Sequence, residues 1–480
     1  MRYRVGRVIV RFKDGVTAAS RLSALSVVSR TATMSQRAAY QNFDLVQIDA
    51  AEDAEAAART FRARPDVEYA QAAYRVHAEF VPNDTFYPCQ WNLSLIDVPR
   101  AWDVQPAAGS AITVAVLDSG IAYTAATVGF HAGAFTTTLD ADGNVNVGPP
   151  GAAGTAYPAL GNQTLQFVAA TDLGPSTRFV APHDFIWNDN LPLDLDGHGT
   201  HVSGTIGQTT NNGQGTAGVA FNVKLMPVKV LDGTWDDIFG APNAATDDVV
   251  ALGIRYAADN GAKVINMSLG RTGPAGCGSN RNLDGCAPVI EDAIRYAVGK
   301  GCFVAIAAGN DFQNGNPTEV LAEIASRVPG AVSVAAVNQA KGHAFYSSSG
   351  AYIELSAPGG DVSSLVCNNQ VKIGGVLQQT LDLDLVETFD KPPSQFTAPR
   401  FDALAYFFFV GTSEAAPHVA GLAAMLMQQG ITDPAAIEAA LKRFATRLGT
   451  TDAACMKADP LFGCGLIEAR STLRGLGLAK

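Results

Sequence analysis

The sequence predicts an α/β protein: a parallel sheet with helices on both faces, preceded by a small α+β unit. Three observations predict it. The chain has 480 residues, too many for one small domain, so two or three folding units are expected. From about residue 89 onward, apolar runs of strand length alternate with helical patterns, as in a parallel sheet covered on both sides. Residues 1–78 follow another rhythm, roughly βαββαβ with one weak strand, which is the order of a ferredoxin-like sandwich.

In the front unit, residues 7–12 read as a strand ended by the turn Lys13-Asp14-Gly15, and residues 18–29 as a helix. Residues 43–48 form the next strand. Residues 52–64 are helical, with Ala54, Ala57, Ala58 and Phe61 on one face and Glu55 and Arg59 as an i,i+4 pair. Pro65 stops that helix, and residues 67–76 return as a strand. Residues 79–88, with Pro82-Asn83-Asp84, are expected to be a linker, leaving 89–480 as the second domain.

In that domain, residues 112–117, 223–231, 264–267, 302–308 and 332–337 are candidate buried strands. Helices are expected at 247–260, stopped by Gly261, and at 288–299, 412–429 and 433–447. The last opens on Asp433 as cap and Pro434 in the first turn. Residues 123–190 and 361–409 interrupt the alternation with turn-rich sequence and are expected to be surface insertions. In sheets of this kind, sites form at the carboxyl ends of strands.

Composition narrows the function. The net charge of −11 argues against a nucleic-acid binder, which would carry a basic face. Of 34 Lys and Arg and 45 Asp and Glu, residues 1–78 hold 12 and 8, so a segment of charge +4 precedes a body of charge −15. Opposite charges of this kind favour association of the two. No run approaches the ~18 apolar residues of a membrane span; residues 404–410 are the strongest local stretch and far too short. Cys277 with Cys286, and Cys455 with Cys464, bracket short polar loops, a pattern of disulfides in an exported protein. Cys302 sits in an apolar run as a buried small hydrophobe. Cys89 and Cys367 have no partner that spacing identifies. The first ten residues contain no apolar stretch of signal-peptide length. The expectation is therefore secretion by way of a leader outside this sequence, with an intracellular protein as the alternative.

Three segments carry chemistry. Asp118, in Val114-Ala-Val-Leu-Asp118-Ser-Gly, ends an apolar strand; alone it would read as a cap. His198, in Asp196-Gly-His198-Gly-Thr-His201, opens a helix of small residues. His201 at i+3 invites a zinc reading, but the Glu of His-Glu-x-x-His is absent and there is no Cys-x-x-Cys. Ser413 starts a helix in Gly411-Thr-Ser413-Glu-Ala-Ala-Pro417. It has Ala415 where a Gly-x-Ser-x-Gly elbow needs its second Gly, which argues against an α/β-hydrolase esterase.

Together, Asp118-Ser-Gly, His198-Gly-Thr-His and Gly411-Thr-Ser-x-Ala-x-Pro417, in that order, resemble the subtilisin-like serine proteases (subtilases) from about Asn83 to the late helices. The resemblance implies a subtilisin-like sheet and a serine endopeptidase needing no cofactor for catalysis. It implies Ser413 as nucleophile, His198 as base, Asp118 as its orienting partner and Asn310, in Ala307-Ala-Gly-Asn310, as oxyanion donor. It also implies a substrate edge at Ser268, Leu269 and Gly270, and small pocket walls at Ala307, Ala308 and Gly309. Glu414, beside the nucleophile, departs from the apolar residue many relatives carry. Because the family binds structural calcium, Asp140, Asp142 and Asn144, with oxygen donors at alternating positions, form a candidate loop; it lacks a terminal Glu, and a solvated turn is the favoured alternative. The front unit resembles the family's inhibitory propeptide, so the expectation is a monomeric zymogen that acts on proteins or peptides, is inhibited by its own prodomain and cleaves itself between Tyr74 and Tyr87. The competing reading is a non-catalytic interaction protein on the same scaffold.

Overall fold

In a computed structural model, residues 3–74, 80–139, 145–277, 280–456 and 458–475 are described. The described residues divide into two compact units, 3–74 and 80–475.

The first unit has β1 (Tyr3–Phe12), α1 (Ala18–Val28), β2 (Thr33–Met34), β3 (Asp44–Gln47), α2 (Ala54–Arg62) and β4 (Val67–Tyr74). The sheet is antiparallel, ordered β2-β3-β1-β4. The weak strand is β2, two residues long. Thr17 caps α1, accepting the N–H of Ser20 on its hydroxyl, and the Asp53 carboxylate caps α2 at the N–H of Glu55. Alternate residues Val8, Val10 and Phe12 of β1 bury against Ala57, Ala58 and Phe61 of α2, the face expected from sequence.

The second unit is built on seven strands: β5 (Thr113–Asp118), β6 (His183–Asp184), β7 (Lys224–Lys229), β8 (Val264–Met267), β9 (Phe303–Ala307), β10 (Ala331–Val337) and β11 (Leu355–Pro358). Their order is β6-β7-β5-β8-β9-β10-β11 and every pairing is parallel. The strands bury on both faces, which is why they read as continuous apolar runs and not as alternations. Helices α3 (His198–Gly207), α4 (Asp247–Asp259), α5 (Pro288–Gly299), α6 (Thr412–Gln428) and α7 (Pro434–Phe444) accompany the sheet. Chain order reverses across β5, so the crevice for a site lies beyond its carboxyl end. Adjacent strands β8 and β9 end on the same edge, at Met267 and Ala307.

Both interrupting segments fold into β-structure. Residues 126–167 form an antiparallel pair, Ala126–Ala132 with Gly161–Phe167, and a three-stranded sheet. The second segment departs from a surface insertion. Its strand Val376–Leu381, paired with Leu404–Phe409, is buried throughout and packs on α3, because Gln378, Gln379 and Thr380 find hydrogen-bond partners inside. Residues 80–88 also depart from the expected linker. The Asp84 carboxylate accepts from Asn211 N at 2.7 Å and Asn212 N at 3.1 Å, and Phe86 N–H donates to Gly215 O at 2.7 Å. This stretch therefore belongs to the second unit.

Cys277 pairs with Cys286 and Cys455 with Cys464, as the loops predict; Cys89 pairs with Cys367, 278 residues away, and Cys302 is a buried thiol. The candidate calcium residues Asp140, Asp142 and Asn144 lie outside the described residues. Among the described residues, no helix is long and apolar enough to cross a membrane.

Candidate active site

Asp118 is the last residue of β5 and is fully buried. His198 is the first residue of α3, and its Nδ1–H donates to Asp118 Oδ1 at 2.7 Å. With Nδ1 engaged by Asp118, Nε2 is the ring nitrogen left for another partner. Gly199 makes this approach feasible: a Cβ there would stand 2.2 Å from Gly120 O and 3.0 Å from Asp118 Cβ.

Two residues that the sequence did not single out hold the pair. Asp194, buried, accepts from Gly197 N at 2.8 Å and Thr200 N at 3.0 Å, occupying the open donors at the start of α3, and from Ser119 Oγ at 3.0 Å. Lys229, also buried, ends β7 opposite Asp118. Its ammonium donates to Asp236 Oδ2 at 2.9 Å and to Ser119 O at 2.7 Å. A lysine inside an apolar strand was the available signal for it.

Ser413 is the second residue of α6. Its Oγ–H donates to Ser268 O at 3.2 Å, while Ser268 Oγ–H donates to Ser413 O at 2.7 Å. Asn310 follows β9. Its Oδ1 accepts from Thr412 N at 3.0 Å and Thr412 Oγ at 2.9 Å, which fixes the amide so that Nδ2 is the end left to donate. A point built at the Cβ position of Gly411 lies 2.7 Å from Glu414 Oε2, 3.5 Å from Ser413 N and 3.6 Å from Asn310 Nδ2, so the two donors stand near each other with a carboxylate oxygen beside them.

Leu269, Gly270, Ala307, Gly309, Asn310 and Ser413 line one cavity of about 410 Å³. The structure does not bring Ala308 to it: that methyl packs with Ala322, Ala335, Tyr352 and Ile353 in the core, because successive side chains of an extended segment face opposite ways.

Electrostatics couple the neighbours. Burial lowers the His198 pKa, but the charge and hydrogen bond of Asp118, followed by the charges of Glu414 and Asp196, hold it above the ordinary histidine range. Burial pushes Glu414 up to about 7. His201 is pushed down to about 3 by burial and is neutral; its Nε2–H faces Val376 O at 3.1 Å and Phe407 O at 3.2 Å, and its ring stacks on Phe409. His201 thus ties α3 to the buried hairpin, and its Nδ1 faces Glu414 Oε1 at 3.6 Å.

The chain matches known proteins over nearly its whole length. The subtilase family matches residues 109–465, and the fervidolysin N-terminal prodomain matches residues 1–72. A thermophilic serine proteinase of Bacillus sp. (strain AK1) is 31% identical over 433 residues, 89% of this chain and 79% of that relative. An extracellular protease of Xanthomonas campestris pv. campestris is 31% identical over 494 aligned residues, 96% of this chain and 71% of that relative. Among solved structures, a protease of Pseudoalteromonas arctica PAMC 21717 superposes with a TM-score of 0.54 at 27% identity, covering 84% of this chain and 100% of that one. The chain belongs to the subtilase family and is a serine endopeptidase carrying its own N-terminal prodomain.

Proposed function

We propose that Ser413 is the nucleophile, His198 its general base, and Asp118 the group that orients His198 and stabilises the imidazolium. The observation that carries this reading is the 2.7 Å bond from His198 to Asp118 at the sheet's switch point, with Glu414, the neighbour of Ser413, inside the electrostatic reach of His198. His198 Nε2 takes the Ser413 proton as Oγ attacks the scissile carbonyl carbon, then returns it to the leaving amine; water releases the acyl group by the reverse roles. For this the hydroxyl exchanges Ser268 O for Nε2, an alignment that catalytic groups often complete only with substrate in place. The oxyanion is received by the N–H of Ser413 and by Asn310 Nδ2, rigid donors that need no reorganisation.

Extended substrate pairs with the edge at Ser268–Gly270, and Ala307 and Gly309 form pocket wall. The prodomain inhibits the enzyme until it is cut away. The cut lies between Tyr74 and Tyr87, and the bonding of residues 80–88 into the second unit favours the N-terminal part of that stretch. Three disulfides and a relative named as extracellular support export, and the protein acts as a monomer. For the stretch 140–146 a solvated turn is the favoured reading over a structural calcium, and a thermal midpoint unmoved by chelator is the result expected of it.

The test is intact mass against time for wild type and Ser413→Ala. Loss of roughly the first 75–80 residues from wild type alone is expected. Equal processing of both proteins, or of neither, would contradict the reading.

A further inference from the structure

The cavity beside Ser413 has a carboxylate in its wall. Glu319 lies in the short strand Thr318–Glu319, which pairs with Thr272–Gly273, and only 3% of it is exposed. Its Oε1 accepts no hydrogen bond from any protein donor. The two oxygens stand directly behind the cavity's glycines: a Cβ on Gly270 would lie 2.3 Å from Oε1, and a Cβ on Gly309 would lie 3.0 Å from Oε2. With glycine at both positions, neither residue puts a side chain between the carboxylate and the cavity, whose wall includes Glu319.

Charges of both signs surround it. Arg271 is the one cation in the wall, and it is committed to Asp247, with Nε and Nη2 at 2.8 and 2.6 Å from the two carboxylate oxygens. Asp311, also in the wall, adds a second negative charge. Burial pushes Glu319 up to about 8; the backbone N–H of Arg271 and its charge oppose this, and the charge of Asp311 adds to it. At neutral pH such a group rests mainly as the neutral acid, and a cation entering the cavity lets it release its proton to solvent and pair as the carboxylate. A guanidinium or ammonium on a long apolar stem meets the requirement: the stem lies along Leu269 and Ala307, and the head reaches the carboxylate.

We propose that this cavity takes the side chain on the acyl side of the scissile bond, and that Glu319 makes the enzyme select arginine or lysine there. The proposal rests on Ser413 being the nucleophile, since only then does the cavity receive the residue whose carbonyl is attacked. Glu319 is a specificity determinant and takes no part in bond breaking. Gly270 and Gly309 belong to the same device, because a side chain on either would cover the acid.

The experiment compares kcat/KM of the mature enzyme on peptide anilides identical except for Arg, Lys, Gln, Phe or Leu before the scissile bond. Arg and Lys are expected to exceed Phe and Leu by about 100-fold, the scale of a buried charge pair. In Glu319→Gln that ratio collapses by a similar factor, while covalent labelling of Ser413 by a fluorophosphonate shows that the variant still carries a formed site. If the variant does not fold, wild type alone decides through inhibition by peptide aldehydes ending in argininal or phenylalaninal, with the argininal expected to bind about 100-fold tighter. Preference for Phe or Leu overturns the proposal and leaves Ser413 standing. Preference for Gln also overturns it, since that is recognition by a neutral acid. Failure to hydrolyse any anilide, with no label on Ser413, defeats the nucleophile assignment instead.

Discussion

Replacing Lys229 by Met is expected to cost about 3–5 kcal/mol, the range for breaking a buried ion pair from one side. Lys229 and Asp236 are both fully buried, 2.9 Å apart. Asp236 would keep two donors, Trp187 Nε1 at 2.6 Å and Gly233 N at 2.8 Å, but would lose its countercharge. The carbonyls of Ser119 and Leu193 would lose their ammonium donor as well. Denaturant unfolding of the Ser413→Ala protein, with and without Lys229→Met, reads the change free of self-digestion; the midpoint should fall with the slope unchanged. The pH dependence has a definite sign. Burial lowers the lysine pKa, but the charge of Asp236, followed by that of Asp184, holds it above 10.5. The stabilisation is therefore complete below that value and is lost only as pH rises through the raised one. Because Ser119 follows Asp118, turnover should fall along with stability. A cost below about 1 kcal/mol, the size of an ordinary surface substitution, would refute the claim that this pair anchors the site.

Three further outcomes follow from the same geometry. Asn310→Ala should lower kcat by about 10²–10³, the loss seen on removing one oxyanion donor in a subtilisin, with folding and active-site labelling retained; unchanged kcat would sink that role. Glu414→Gln removes an anion that raises His198, so the acid limb of the kcat/KM profile should move to lower pH, and an unmoved limb would contradict the coupling. In wild type, a Glu414 pushed from 4.5 to about 7 withdraws stability as pH rises between those values, and the glutamine variant should flatten that slope. Cys89→Ser opens a loop spanning 278 residues and should cost about 5 kcal/mol in the chain-entropy account, read as a lower unfolding midpoint of the second unit.

Much of the candidate site was legible because its residues sit in motifs that are local in sequence. Asp118 ends an apolar strand, His198 and Ser413 open helices, and Asn310 follows a strand, each inside a short motif. The buried strands were legible for the same reason: a parallel sheet covered on both faces leaves unbroken apolar runs. What escaped was long-range. Lys229, Asp194 and Glu319 acquire their meaning from partners at Asp236, Ser119 and Gly270, and no periodicity carries a contact between separate elements. The strand at residues 376–381 was hidden by composition, because Gln378, Gln379 and Thr380 read as surface until tertiary hydrogen bonds satisfy them. Residues 80–88 misled similarly: Pro82-Asn83-Asp84 signals a turn, and nothing local shows that Asp84 caps a loop 127 residues away.

The most direct measurement is the site of covalent labelling by a fluorophosphonate in the mature enzyme, mapped by peptide mass. One label per molecule is expected on Ser413, and none in His198→Ala freed of its prodomain by an added protease, where the hydroxyl has no base. A label on another serine, or equal labelling of Ser413 without His198, would contradict these roles.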